Sequence, residues 1–215
     1  MRFPIGSSHL VVGPPGSGKT YKIIELLKNK DVLIRNGEKI QNIIFCYARW
    51  QSEYNAIKSM VRKWVKKLPS NEEYYDLVKE YRNDGGSIVV VDDFMSDIGK
   101  DLVEIVTVTN RHTNTCLFLL FQSLFPSNPL ARQISLNVRY IHIHKNPREN
   151  AQVQYLARQI QPKSYKWIID SYHEATKKAY SSFLIDLNQD QDENLHFRSQ
   201  ILPSESPMIV WMENK

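Results

Sequence analysis

The sequence predicts a mainly parallel α/β sheet with helices on both faces. Short β-branched or apolar runs recur along the 215 residues, segments with apolar residues at helical spacing lie between them, and Gly- or Pro-containing breaks separate the two. A chain this long buries roughly 70% of the surface it exposes when unfolded, so its core needs no disulfides. Its two cysteines, Cys46 and Cys116, form no zinc spacing with the six histidines and point to a reducing compartment. Hydrophobic residues at 42% and charged residues at 24% exclude a wholly disordered chain. The longest apolar runs, such as Cys116 to Phe121, are far short of a membrane span, and no secretory leader follows Met1. The expectation is a soluble intracellular protein with no membrane partner.

The elements follow in order. Ser-His-Leu-Val-Val at 8–12 is a strand ending in Gly13, and 19–30 is a helix burying Ile23, Ile24 and Leu27. Ile-Ile-Phe-Cys-Tyr at 43–47 is a second strand. The stripe of Ile57, Val61, Trp64 and Leu68 predicts a helix over 52–68, stopped by Pro69. A helix over 71–84 ends at Gly85-Gly86, and the β-branched run 88–91 is a strand buried on both faces. The helix expected over 97–111 is weakened by Val106, Thr107, Val108 and Thr109. Strands over 116–121 and 139–144, helices near 150–161 and 164–178, and a strand over 182–187 complete the core. From Asn188 the text turns polar and Pro/Ser-rich, so the division is a core at 1–187 and an extended C-terminal segment at 188–215, docked on the core or on a neighbour.

Gly13-Pro14-Pro15-Gly16-Ser17-Gly18-Lys19-Thr20 matches G-x-x-x-x-G-K-[ST] between a predicted strand and a predicted helix. The fixed positions arise by chance about once in a hundred such chains, and the strand–helix context makes chance less probable still. Glycines let backbone N–H groups turn in around phosphate oxygens, and the following helix aims its positive end at the same anion. Lys19 is suited to the β/γ-phosphates and Thr20 to Mg²⁺, so a nucleotide with Mg²⁺ is the expected ligand and a P-loop NTPase (RecA-like) the expected fold. Val89-Val90-Val91-Asp92-Asp93 brings two carboxylates to a strand end: Asp92 for Mg²⁺, Asp93 to orient and deprotonate an attacking water. Leu117-Phe118-Leu119-Leu120-Phe121-Gln122 ends in an amide able to sense the γ-phosphate. Trp50, Tyr54, Tyr74 and Tyr75 read as packing residues, as do Cys46, Cys116 and the histidines His142 and His144.

Phosphate loop, Asp-Asp strand and strand-end Gln, in that order, resemble the FtsK–HerA superfamily of DNA-pumping ATPases. Phe45-Cys46-Tyr47-Ala48-Arg49-Trp50-Gln51, Ile134-Ser135-Leu136-Asn137, Lys145-Asn146-Pro147-Arg148 and Leu184-Ile185-Asp186-Leu187-Asn188-Gln189-Asp190 are similar to its poxvirus-type genome-packaging branch, in particular to ATPases of Polinton/Maverick elements, virophages and adenovirus-like viruses. The resemblance implies ATP hydrolysis driving double-stranded DNA into a capsid through a homo-oligomeric ring, a pentamer or hexamer. It implies a capsid or vertex protein as partner, and a place in the host cell during virus assembly or in the virion. By carry-over Lys19, Thr20, Asp92 and Gln122 take the roles above. Asp93 stands where the wider superfamily has Glu. Arg111, before the strand that carries Gln122, matches the position of an arginine finger acting on the neighbouring subunit from the sheet edge; Arg132, Arg139 and Arg148 are its rivals.

Lys and Arg number 28 against 23 Asp and Glu, a net charge of +5. On a 52–68 helix, Lys58, Arg62 and Lys66 would form one basic row, and a ring would repeat it around a pore. Such a surface neutralises phosphates without reading bases, so DNA binding without sequence preference is expected. Two other readings stay open: a small-molecule phosphotransferase, for which no Arg-containing lid segment is visible, and an NTP-binding capsid assembly subunit that translocates nothing.

Overall fold

A computed structural model describes residues 1–213. The β-branched and apolar runs form β1 (Ser8–Val12), β2 (Asn42–Tyr47), β3 (Lys63–Val65), β4 (Ser87–Asp92), β5 (Thr115–Phe121), β6 (Tyr140–His144), β7 (Ser182–Asp186), β8 (Phe197–Ser199) and β9 (Ile209–Trp211). The helices are α1 (Lys19–Lys28), α2 (Lys30–Leu33), α3 (Asn71–Val78), α4 (Lys100–Glu104), α5 (Asn110–His112), α6 (Pro129–Asn137), α7 (Asn150–Ile160) and α8 (Lys166–Ala175). Among the described residues the strands make one sheet in the order β3-β2-β4-β5-β1-β6-β7-β8-β9. The first six are parallel, and β7, β8 and β9 follow antiparallel.

Side chains alternate across this sheet, and each face buries its own apolar layer. Leu10, Val12, Val89, Val91, Leu117 and Leu119 pack beneath α4, α6, α7 and α8. Val11, Ile43, Phe45, Ile88, Val90 and Phe118 pack against Ile23, Ile24, Leu26 and Leu27 of α1. Helices on both faces of a mainly parallel sheet are what the sequence predicts. Cys46 and Cys116 are buried free thiols.

The helix expected over 52–68 is absent. A 3-10 segment, Ser52–Ile57, leads instead into β3, which pairs in parallel with β2 from Ile44–Lys63 to Cys46–Val65. The physical reason is the open edge of β2, whose N–H and C=O groups gain partners only if the chain extends there. Trp64 then joins an aromatic cluster with Phe45, ring centroids 5.1 Å apart, and with Trp50 at 4.8 Å. Lys58, Arg62 and Lys66 are all exposed but do not form one helical row. Arg62 lies over the Tyr81 ring at 4.4 Å, and Lys67 pairs with Glu73.

Helix 97–111 begins later, at Lys100, and its β-branched stretch Ile105–Thr109 widens into a π-turn. There the Thr107 hydroxyl donates to the Val103 carbonyl at 2.8 Å, competing with the backbone ladder. Of the four aromatics expected to pack, Tyr54 and Tyr74 are buried, whereas Trp50 and Tyr75 are exposed.

After Asn188 the chain doubles back and widens the sheet through β8 and β9. Two ion pairs tie this segment down: the buried pair of Arg198 with Asp186 at 3.2 Å, and Lys22 of α1 with the half-buried Glu205 at 2.8 Å. Lys22 is only 2% exposed, so it would be left as an uncompensated buried charge without Glu205. The last two positions of the expected 188–215 segment lie outside the described residues. No helix among the described residues is long and apolar enough to cross a membrane.

Candidate functional site

The loop between β1 and α1 is built around two glycines that nothing larger can replace. A Cβ at Gly13 would lie 2.5 Å from Ser17 Oγ and 2.8 Å from the His144 Cβ. Gly18, at the start of α1, has φ +96°, a conformation that side chains disfavour. The Gly13 N–H donates to the Phe121 carbonyl at 3.2 Å, which fixes the loop against the end of β5. Lys19 Nζ donates to the carbonyls of Gly13 at 2.6 Å and Pro14 at 3.0 Å, so the ammonium curls over the loop. The first backbone N–H groups of α1 open onto the same space.

Strand order brings the remaining groups together. β5 lies between β1 and β4, so the carboxyl ends of all three strands open onto one cavity of about 320 Å³. Gly16, Lys19, Thr20, Asp92, Asp93 and Gln122 line it, with Gln51 at its rim. A larger groove of about 810 Å³ between α8 and β9 holds none of these groups.

Asp92 is buried, and its Oδ2 accepts from the Thr20 hydroxyl at 3.2 Å and the Tyr54 hydroxyl at 2.9 Å. Asp93 is exposed, with φ +66°, a strained backbone that turns it away from the strand and toward the cavity. Gln122 Nε2 donates to Asp93 Oδ1 at a long 3.5 Å.

Burial moves both central charges from their ordinary values. It lowers the Lys19 pKa, a shift opposed by Asp92 and Asp93. It raises the Asp92 pKa against the hydrogen bonds from Tyr54 and Thr20 and the nearby Lys19. Opposite perturbations on facing groups in a cleft are characteristic of working sites.

The donor set also suits Mg²⁺. Among the described residues no cluster of three or more His, Cys, Asp or Glu could cage an ion. Thr20 and Asp92 instead offer two hard oxygens on a cavity wall, the sparse protein share of a cation completed by phosphates and water.

The arginine lies elsewhere. Arg111 is exposed on α5, at the amino end of β5. The seven residues of β5, about 20 Å of strand, separate it from Gln122. It does not stand at a lateral edge, as expected, because the fully buried β5 is an interior strand. Arg139 precedes β6 at the same amino end, Arg132 is exposed on α6, and Arg148 follows β6 at the carboxyl end.

Tyr54 was legible only as an apolar ring, yet its hydroxyl holds Asp92; no local pattern announces a contact across 38 residues. Tyr180, which packs on Gly18, likewise carries no sequence signal, and Gln51 ends one of the quoted segments without its place in the cavity being legible there. Beneath the loop, Ser17 Oγ and both ring nitrogens of His144 are buried without a partner.

No family model matches the sequence, and no curated protein matches it. Solved structures do. The genome packaging NTPase B204 of Sulfolobus turreted icosahedral virus 2, in complex with AMPPCP, superposes with a TM-score of 0.58 at 16% identity, covering 97% of this chain and 98% of that one. B204 of Sulfolobus turreted icosahedral virus, described as a DNA-packaging ATPase, gives 0.55 at 17% identity with 100% of both chains covered. The cytoplasmic domain of the Thermomonospora curvata type VII secretion ATPase EccC gives 0.52 at 12% identity, covering 95% of this chain and 25% of that one. With a mostly parallel sheet, nine-stranded among the described residues, and a phosphate loop following β1, this chain has the fold of the P-loop NTPases.

Proposed function

We propose that this chain is an ATP-hydrolysing motor that translocates double-stranded DNA into a viral capsid. The observation that carries the reading is the end-to-end likeness to packaging NTPases in a chain whose phosphate loop, Asp92, Asp93 and Gln122 meet in one cavity. The segments quoted above favour the poxvirus-type packaging branch of the FtsK–HerA superfamily. Complexes of one neighbour, B204 of Sulfolobus turreted icosahedral virus 2, with AMPPCP and with ATP-γS support ATP as the nucleotide.

In this reading the N–H groups of the 13–20 loop and the Lys19 ammonium bind and orient the triphosphate. Thr20 and Asp92 would hold Mg²⁺, which would supply positive charge to offset that of the phosphates. Asp93 accepts the proton of the attacking water, and Gln122, bonded to Asp93, positions that carboxylate and reports on the γ-phosphate. Aspartate is a methylene shorter than the glutamate usual in the superfamily; the left-handed backbone at Asp93 reorients its carboxylate into the cavity. Arg111, at the far end of its own sheet, serves the site of a neighbouring subunit in a homo-oligomeric ring. A capsid or vertex protein docks the ring, in the host cell or on the virion. Exposed Lys58, Arg62, Lys63 and Lys66, on the turn and edge strand 58–66, give DNA a basic surface that needs no sequence reading.

ATP turnover with and without long double-stranded DNA tests this. Stimulation by unrelated duplexes alike, lost steeply between about 50 and 200 mM salt, is the expected result. Turnover that depends on a small-molecule acceptor would make the chain a phosphotransferase, and negligible turnover would make it an assembly subunit.

Tyr54→Phe probes the metal arrangement, because it removes one of two donors on Asp92 and keeps the ring. Nucleotide affinity in Mg²⁺ is expected to fall about tenfold, the value of one hydrogen bond to a charged group, while affinity in EDTA stays unchanged. Titration of a fluorescent ATP analogue reads both. Equal weakening in the two buffers would mean that Tyr54 supports the fold of the site and not its metal.

A further inference from the structure

The phosphate loop carries an aromatic neighbour that nothing so far uses. Tyr180 lies in the turn between α8 and β7 and is 65% exposed, with φ +65°. A bulky residue in that backbone region is strained. It is held against the phosphate loop: a Cβ at Gly18 would lie 3.0 Å from the Tyr180 Cβ and 3.1 Å from its ring Cδ1. Tyr21, three residues after Gly18 and so on the same side of the first turn of α1, is also exposed, at 55%.

Strand order decides which end of a nucleotide these rings can meet. Asp92, Asp93 and Gln122 end β4 and β5, on one side of β1. Tyr180 stands on the other side: it leads into Ser182, which pairs with His144 at the carboxyl end of β6. A triphosphate lying across the loop with its terminal phosphate toward Asp93 and Gln122 therefore carries its nucleoside toward Tyr180. The exposed, π-faced ring there presents what a planar base stacks on.

We propose that Tyr180 is the stacking platform for the base of the bound nucleotide, with Tyr21 on the first turn of α1 as a second exposed ring. The proposal rests on the nucleotide reading above and names the residues that make the site prefer a nucleoside triphosphate over a bare polyphosphate. It also accounts for the strain, since the left-handed turn at Tyr180 sets its ring beside Gly18.

Calorimetric titration of the full chain with ATP and, separately, with inorganic tripolyphosphate tests it. Wild type is expected to bind ATP more tightly than tripolyphosphate. Tyr180→Ala is expected to lose about tenfold to a hundredfold in ATP affinity, the range for one aromatic–base stack, with tripolyphosphate affinity unchanged. Tyr180→Phe keeps the ring and is expected to bind ATP within about twofold of wild type. Tyr180→Gly relieves the strain and is expected to melt at a higher temperature than wild type while showing the same ATP defect as Tyr180→Ala. Unchanged ATP affinity in Tyr180→Ala would overturn the platform. So would an equal loss of ATP and tripolyphosphate, which would reduce Tyr180 to a support for Gly18. A wild-type chain that binds neither ligand would overturn the phosphate site itself, and Lys19→Ala, expected to weaken both ligands together, separates that failure from the platform's.

Discussion

Arg111→Ala is expected to bind ATP with unchanged affinity and to hydrolyse it about 10³–10⁵-fold more slowly, the usual cost of losing an arginine finger. The size follows from the chemistry: a planar guanidinium presents paired donors to phosphoryl oxygens and stays charged at any working pH. The selectivity follows from the fold. Arg111 leaves the sheet at the amino end of β5, whereas the phosphate loop, Asp92 and Gln122 gather at the carboxyl ends. It therefore takes no part in binding by its own subunit. Exposed on a short helix turn, it also carries no packing that its loss would disturb.

Lys19→Ala should be equally inactive for the opposite reason, since its own triphosphate loses the lysine while its Arg111 remains intact. Mixing the two variants should restore part of the turnover, because hybrid interfaces pair an intact phosphate loop with an intact arginine. A mixture that stays inactive while rings still form, or an Arg111→Ala chain that turns over normally, moves the finger elsewhere. Arg139, at the same end of the sheet, is then the next candidate.

The chain is also expected to lose stability steeply as the pH falls below about 6.5, the ordinary histidine value. His9, His142 and His144 are all buried in β1 and β6. His9 Nδ1 meets His142 Nε2 at 3.2 Å, and Ser7 Oγ meets His9 Nε2 at 2.7 Å, whereas His142 Nδ1 and both nitrogens of His144 have no partner. Burial lowers the pKa of His9 and of His142 well below the ordinary value. For His144 it does so to about 3, helped by the positive charges of Lys22 and Lys19.

A histidine whose folded pKa is depressed binds its proton only after unfolding. Its contribution to stability is complete above pH 6.5 and falls as the pH drops toward the folded value. Each such histidine costs about 1.4 kcal/mol per pH unit in that window, so three cost about 4 kcal/mol per unit, against a typical total of about 5–15 kcal/mol. Asp92 works in the opposite direction, because burial raises its pKa and the folded chain takes up that proton first. Urea unfolding from pH 7.5 to pH 5 reads the slope directly. An uptake on unfolding of less than one proton per chain across that range would mean that the histidines are not held neutral. Replacing His9 and His142 together by leucine should flatten the slope.

Local chemistry made the strands and the phosphate loop legible. A β-branched run such as Ile88 to Val91 can satisfy itself only as a buried strand. Gly13 to Thr20 combines a tight turn, close backbone approach and a helix start within eight residues. Both signals lie within a dozen residues, the range over which propensity and periodicity operate. The 52–68 segment shows the limit of that reach. Ile57, Val61 and Trp64 have helical spacing, but the open edge of β2 offered hydrogen bonds and an aromatic cluster that an isolated helix could not match. Tertiary pairing overrode the local helical pattern.

By itself the sequence determined the α/β alternation, the phosphate loop and the two strand ends that carry Asp92 and Gln122. Only the tertiary structure decided the order of the strands, with β5 between β1 and β4, and so which side of the loop faces the carboxylates and which faces Tyr180. It alone joined Tyr54 to Asp92, Lys22 to Glu205 and the C-terminal strands to the sheet. These contacts span 38 residues or more in the first two cases, and their energy depends on burial and geometry at both ends. Neither end carries a mark of its partner until the core between them has closed.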